Sequence, residues 1–436
     1  MTLPQTPWLL PEEHEIVVRE LLRFGLIKYD NARQLPLKSG GKTDVYINLR
    51  DMRNNAEATN FLAELYAFAL NRLDLDRFVE VPEAVSGLAG ALSITTGLPY
   101  LTIREQEKTA RATNARVIGQ YAFGDRVAIV DDVITDGGSK IEPYRMCKQL
   151  GLDVLGLVVL VDRQQGWRQH LANSGIQTGV WPGMTLHDVR KQLISIGLMQ
   201  RCTPEAEAAN PLILALDNMS WEQALGLLDP LRTTGCIFKV NDLVFDEGIQ
   251  RLLPNLSVYG RAMVDLKLHE IPNTVANTCK RLRACPPWAV TVHASGGGEM
   301  IEAAIKTLAG TPTMVLAISV LTSIDKKTCD EVYHRLPLTQ VRELLKVAFD
   351  AGAHGAVCSA HEVGEMFAEY PDKIFVVPGV RSPGADTGDQ KRVGTPAQAL
   401  FDGAKYIVGG RQFTEAADPV AEVHRVLTEE LNITLL

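Results

Sequence analysis

The spacing of apolar positions changes along the chain. Near the start, Glu12 to Phe24 repeats its apolar residues at helical spacing. The stretch Leu37-Lys38-Ser39-Gly40-Gly41-Lys42 interrupts the pattern, and Asp44 to Asn48 is strand-like. From Gly124 a short apolar run, 127–130, ends in two acids and a glycine-rich turn. An amphipathic stretch from Ile141 to Leu150 stops at Gly151, and a second apolar run covers Val154 to Val161. That order predicts a βαβ unit and hence a parallel sheet. Residues 196–211 turn loop-like, which places a domain junction there.

Beyond the junction, eight strand-like runs alternate with helical stretches. They are Leu212–Leu216, Cys236–Val240, Ala262–Leu268, Ala289–His293, Met314–Leu321, Gly355–Ser359, Ile374–Val380 and Lys405–Gly409. Eight such units in about 226 residues predict a (β/α)₈ TIM barrel. The chain therefore reads as α/β throughout. Residues 1–200 form a parallel-sheet domain, 201–210 a linker and 211–436 the barrel. Polar residues fall at the C-terminal ends of the runs: Asp217, Lys239, Asp265, Lys267, His293, Arg381 and Arg411. Active sites of such barrels lie at that face, often with a phosphate site after strands seven and eight. Arg381 and Arg411 stand at those two places. His293 suits a structural role at its strand end.

Composition narrows the class. The 436 residues exceed one ordinary domain, and 46% hydrophobic with 22% charged is globular. A net charge of −8 gives no basic footprint for nucleic acid. The seven cysteines are scattered without a C-x-x-C pair, so neither a zinc site nor a disulfide framework is expected. The start, Met1-Thr2-Leu3-Pro4, lacks signal-peptide features, and no apolar run is long enough to span a membrane. A cytoplasmic location is the expectation.

Two runs carry chemistry. In Val264-Asp265-Leu266-Lys267 an acid and a lysine two apart share one face of a strand. Opposite charges there are costly unless they pair or act. Upstream, Asp131-Asp132-Val133-Ile134-Thr135-Asp136-Gly137-Gly138-Ser139 follows an apolar strand and opens a helix. Such a turn offers free N–H groups and the positive end of a helix dipole to a phosphate. The two acids stand where sugar hydroxyls or a magnesium-bound ligand would lie.

The upstream run resembles the phosphoribosyl-diphosphate (PRPP) motif of type I phosphoribosyltransferases. Leu37-Lys38-Ser39-Gly40 with Tyr46, and Val161-Asp162-Arg163-Gln164-Gln165-Gly166, resemble elements of the orotate phosphoribosyltransferases. The resemblance implies that Lys38 and Arg163 contact orotate or diphosphate and that Thr135, Asp136, Gly137, Gly138 and Ser139 hold the 5′-phosphate. It also implies that Mg²⁺ neutralises the leaving diphosphate. The family's mobile basic loop corresponds to Arg104-Glu105-Gln106-Glu107-Lys108-Thr109-Ala110-Arg111. Arg104 and Lys108 match, while Glu105 inverts a basic position and Ala110 replaces a histidine.

The downstream half resembles orotidine 5′-phosphate decarboxylase along nearly all its length. The matches run in order through Leu216-Asp217, Phe238-Lys239-Val240, Asp265-Leu266-Lys267 and Ile271-Pro272-Asn273-Thr274. They continue through Val292-His293-Ala294-Ser295-Gly296-Gly297, Val320-Leu321-Thr322-Ser323, Val357-Cys358-Ser359-Ala360, Pro378-Gly379-Val380-Arg381, Gly388-Asp389-Gln390 and Gly410-Arg411. By this resemblance Lys267 donates the proton, with Lys239 and Asp265 in an alternating charge network. Asp217 and Thr274 serve the ribose or the network, and Thr322 the pyrimidine. Arg381, Gln390, Gly410 and Arg411 hold the phosphate, and Ser382 to Thr387 form a lid. Glu270 stands where the family has an aspartate that reaches into a partner subunit's site. Asn241 replaces a glycine usual after Lys239-Val240.

Together the resemblances are those of the bifunctional UMP synthases, acting on orotate, PRPP and orotidine 5′-phosphate as a homodimer or larger homo-oligomer. Decarboxylation would need no cofactor. One rival reading is a decarboxylase carrying an inactive transferase half, and another is a PRPP-sensing regulator. The regulator reading lacks a basic face or helix-turn-helix pattern.

Overall fold

The computed structural model describes residues 3, 6–31, 34–36, 42–82, 84–103, 116–199, 202–383 and 394–435. The chain divides into two compact units, 1–200 and 201–436.

In the first unit the amphipathic stretch near the start forms helix His14–Arg23, which buries Val17, Val18 and Leu21. The expected βαβ unit is strand Arg126–Ile134, helix Gly138–Gln149 and strand Asp153–Asp162. These two strands pair in parallel as the third and second strands of a six-stranded sheet among the described residues. Arg77–Glu80, Tyr100–Ile103 and Val180–Thr185 add parallel strands, and Val117–Ile118 pairs antiparallel at one edge. The apolar residues of strands Arg126–Ile134 and Asp153–Asp162 are almost continuously buried, as expected of a parallel sheet covered on both faces.

In the second unit eight parallel strands close into a barrel. They are Leu212–Ala215, Ile237–Val240, Arg261–Leu268, Ala289–His293, Met314–Ile318, Gly355–Val357, Ile374–Pro378 and Tyr406–Gly409, each within one of the eight predicted runs or a residue of it. Ile213, Ile237, Met263, Ala289, Leu316, Val376 and Val408 pack together as one cluster, with Val357 of the sixth strand against it. The sixth strand needs a glycine at Gly355, where a Cβ would lie 2.1 Å from the carbonyl oxygen of Ile374.

Residues 201–210, expected as a linker, behave differently. Pro204–Ala209 is a short helix of the second unit, capped by the Thr203 hydroxyl accepting the Ala206 N–H. Proline at the first helical position and threonine at the cap are a start signal that the surrounding loop-like composition masked. Asn210 then anchors the first barrel strand. Its amide donates to the Thr234 carbonyl at 2.8 Å and its carbonyl oxygen accepts the Leu212 N–H at 2.8 Å.

Candidate functional site

The barrel's period-two pattern lays out the site. Two residues beyond the interior cluster, on the same faces, stand Ala215, Lys239, Asp265, Thr291, Ile318, Pro378 and Gly410. The interior is thus apolar in one layer, while the next sets Lys239, Asp265 and Thr291 among apolar neighbours. A cavity of about 920 Å³ opens there at the C-terminal ends of the strands.

Four side chains form an alternating row of charge. Lys239 Nζ donates to both carboxylate oxygens of Asp217, at 2.8 and 2.9 Å. The same Nζ lies 3.3 Å from Oδ2 of Asp265. Lys267 Nζ donates to that Oδ2 at 2.8 Å. Lys239 and Asp265 are buried, at 7% and 6% exposure, while Lys267 is half-buried and Asp217 exposed. Burial pushes the Asp265 carboxyl up, but Lys239 and Lys267, with the Thr291 hydroxyl, outweigh it and hold the group below its ordinary value.

Strict alternation does not bring Asp265 and Lys267 together, as the spacing alone suggested. The ladder to the fourth strand pairs Val264 with Val290 and next Leu268 with Val292, so the third strand bulges between them. Lys267 takes a left-handed backbone, φ +47°, rare for a residue with a side chain. Its N–H donates to Thr291 Oγ1 at 2.8 Å, and that hydroxyl donates to Asp265 Oδ1 at 2.9 Å.

Asp217, Lys239, Asp265, Lys267, Thr322, Arg381, Gly410 and Arg411 all line the cavity. Glu270 and Thr274 are exposed and do not line it. Gln390 lies outside the described residues, as does the 382–387 loop beyond Pro383. His293 sits beside the site. Its ring stacks on His269 at 5.2 Å and its Nδ1 is 2.7 Å from the Ser295 hydroxyl. Burial, His269 and Lys267 lower its pKa.

Sequence reasoning missed Thr291, which does not line the cavity, and in the cavity wall Met219, Gln223 and Glu415. Thr291 was findable, as the polar residue two beyond Ala289 in an apolar strand. Met219 and Glu415 come from loops, and Gln223 from the first turn of helix Trp221–Leu231, where the strand period does not apply.

In the first unit, the turn after strand Arg126–Ile134 takes the expected form. Gly137 has φ +81° and opens helix Gly138–Gln149. Asp136 Oδ1 accepts the Gly138 N–H at 3.0 Å, which lowers the Asp136 pKa. Asp131 departs from its expected position at a ligand. It is 1% exposed, and its Oδ2 lies 2.5 Å from Nζ of Lys140. Burial raises its pKa to about 7 against the pull of Lys140. Asp132 is half-buried and accepts the Val133 N–H. No group of three potential metal-ligating side chains is present among the described residues. Arg163 is buried and donates to the Thr43 hydroxyl at 3.3 Å. Thr43 adjoins Asp44, which forms a buried two-point pair with Arg190 at 2.9 and 2.7 Å. Lys38, Arg104 and Lys108 lie outside the described residues, as do Glu105 and Ala110.

The profile of the orotidine 5′-phosphate decarboxylase / HUMPS family matches residues 210–426. An orotidine 5′-phosphate decarboxylase of Neisseria meningitidis serogroup A is 40% identical over 231 residues, covering 51% of this chain and 94% of the relative. The crystal structure of orotidine 5′-phosphate decarboxylase from Lactobacillus acidophilus is 35% identical, covering 51% of this chain and 99% of that one, at a TM-score of 0.44. The UMP synthase structure from Leishmania donovani is 27% identical, covering 43% of this chain and 39% of that one, at a TM-score of 0.37.

Proposed function

The chain belongs to the orotidine 5′-phosphate decarboxylase family through residues 210–426, and we propose that its barrel converts orotidine 5′-phosphate to UMP and carbon dioxide. The observation that carries this reading is the row Asp217, Lys239, Asp265, Lys267 at the mouth of the barrel. Breaking the bond from C6 to the carboxylate leaves an electron pair at C6 that the pyrimidine ring delocalises poorly. The Lys267 ammonium stabilises that charge and then gives C6 its proton. Asp265 faces the substrate carboxylate and repels it more than the departing, neutral carbon dioxide. Only a difference of this kind speeds the chemical step. Lys239 and Asp217 hold Asp265 and Lys267 in register. Thr322 meets the pyrimidine, while Arg381, Gly410, Arg411 and Gln390 take the phosphate. The reaction uses no metal or organic cofactor.

The first unit we read as an orotate phosphoribosyltransferase, supplying orotidine 5′-phosphate from orotate and PRPP. The glycine turn ahead of helix Gly138–Gln149 and the buried Arg163 support that reading. Magnesium enters with the diphosphate of PRPP. Asp132 stands nearer the turn's surface than Asp131, whose carboxylate is taken by Lys140. The chain then carries the last two steps of UMP formation as a bifunctional UMP synthase. The exposure of Glu270 and Thr274 suits service to a partner subunit's site in a homodimer.

A product analysis tests both halves. Purified protein is mixed with orotate, PRPP and magnesium, and the nucleotides are separated over time. The reading expects UMP. Orotidine 5′-phosphate that accumulates unconverted contradicts the barrel assignment. No nucleotide, with UMP formed from supplied orotidine 5′-phosphate, contradicts the transferase assignment alone.

A further inference from the structure

We infer that Thr291 is the positioning residue of the reactive pair, fixing through one hydroxyl both the Asp265 carboxylate and the backbone of Lys267. The inference rests on the decarboxylase reading and adds to it a residue that touches no substrate. Thr291 is fully buried on the fourth barrel strand. It stands opposite the bulge, where the third strand advances four residues, Val264 to Leu268, while the fourth advances two. Residues inside a bulge lose their regular ladder partners. The Lys267 N–H goes instead to Thr291 Oγ1, at 2.8 Å. That contact holds a left-handed backbone that a lysine does not adopt freely.

The same hydroxyl has one proton to give, and it goes to Oδ1 of Asp265 at 2.9 Å. Oδ2 of Asp265 receives Lys267 and faces Lys239. The two carboxylate oxygens therefore have separate partners, and the carboxylate is locked about its own axis. Thr291 accepts from the backbone of one reactive residue and donates to the side chain of the other. Its methyl group keeps the β-branched shape favoured in a strand. Removing the hydroxyl leaves a buried N–H without its acceptor and frees the carboxylate to turn. A displacement of about 1 Å at a reacting group costs on the order of 10²-fold in rate.

The test compares steady-state decarboxylation of orotidine 5′-phosphate by the wild-type chain with Thr291→Val and Thr291→Ser. Valine keeps shape and loses the hydroxyl, whereas serine keeps the hydroxyl. The expected result is a fall in kcat of about 10²-fold in the valine variant, with KM changed only a few-fold. Serine should restore most of the rate. If the valine variant does not fold, Thr291→Ala replaces it, because alanine and serine differ by the hydroxyl alone. Valine or alanine variants with near wild-type kcat overturn the inference. So does serine as impaired as alanine, or a loss confined to KM. A wild-type chain that forms no UMP overturns the decarboxylase reading, and this inference with it.

Discussion

Lys267 Nζ and Asp265 Oδ2 meet at 2.8 Å across a bulge rather than along a regular strand. The contact therefore depends on one left-handed residue, Lys267 at φ +47°, and not on alternation. A lysine whose ammonium is aimed by an adjacent carboxylate can donate a proton at a defined point. Lys267→Ala should lower kcat by about 10²- to 10⁴-fold, the range for loss of a general acid, or further if charge stabilisation goes with it. Loss of orotidine 5′-phosphate absorbance over time measures this, and a rate near wild type would remove Lys267 from the chemistry.

Asp265 gives an acid limb to stability. Its carboxyl lies below its ordinary value in the folded state, because Lys239 and Lys267 outweigh burial. The unfolded chain thus binds more protons in the window below pH ~4, and stability there rises with pH. Above that window the contribution is complete, and it is lost as pH falls through the folded value. Asp265→Asn should flatten the slope, the remainder of which belongs to other carboxylates with lowered pKa, such as Asp136. It should also cost about 1–3 kcal/mol at neutral pH, because the buried Lys239 then has Asp217 as its one carboxylate partner among the described residues. Urea unfolding of both proteins at several pH values measures the difference. A variant with an unchanged acid slope would assign it to other carboxylates.

Much of the barrel was legible because each strand turns apolar side chains inward, and three of them then place a polar one, Lys239, Asp265 or Thr291, a layer higher. Lys239 and Asp265 follow that rule from Ile237 and Met263. Lys267 does not, since period two carries no sign of a bulge and lysine has no preference for positive φ. The helix Pro204–Ala209 was hidden for a different reason. Its cap signal, Thr203-Pro204, sits in a stretch whose alanines and acids read equally as linker. In the first unit the strand, turn and helix were legible, but the role of Asp131 was not. Its partner Lys140 is a side chain of the following helix, and only the fold brings the two together.

That buried pair sets a stability expectation of opposite sign. Burial raises the Asp131 pKa to about 7, so the folded state binds more protons than the unfolded one between pH ~4 and that value. Stability from this group is full below the window and is lost as pH rises through it. Lys140→Met removes the compensating ammonium. The variant should lose about 3 kcal/mol at pH 8 and less at pH 5, where the carboxyl is protonated. Thermal unfolding followed at both pH values measures it. An equal loss at both would mean that Lys140 acts by packing alone.

The turn ahead of helix Gly138–Gln149, which the proposed function assigns to a phosphate, holds its own acid. Asp136 takes the Gly138 N–H at 3.0 Å, a donor that a 5′-phosphate would otherwise use, and its charge opposes an anion. Asp136→Ala should tighten binding of magnesium-PRPP by about tenfold, equivalent to ~1.4 kcal/mol. Calorimetric titration of both proteins measures it. Weaker binding in the variant would mean that Asp136 organises the turn rather than competing with the ligand.

By the proposed function, the row Asp217, Lys239, Asp265, Lys267 decarboxylates orotidine 5′-phosphate. The most direct measurement supplies that nucleotide alone, without orotate, PRPP or magnesium, to the purified chain and to Lys239→Ala. The wild type should form one UMP per nucleotide consumed, with a loss of at least about 10²-fold in the variant, whose Asp265 has lost one of its two cations. Orotidine 5′-phosphate left intact by the wild type, or converted equally fast by the variant, would contradict it.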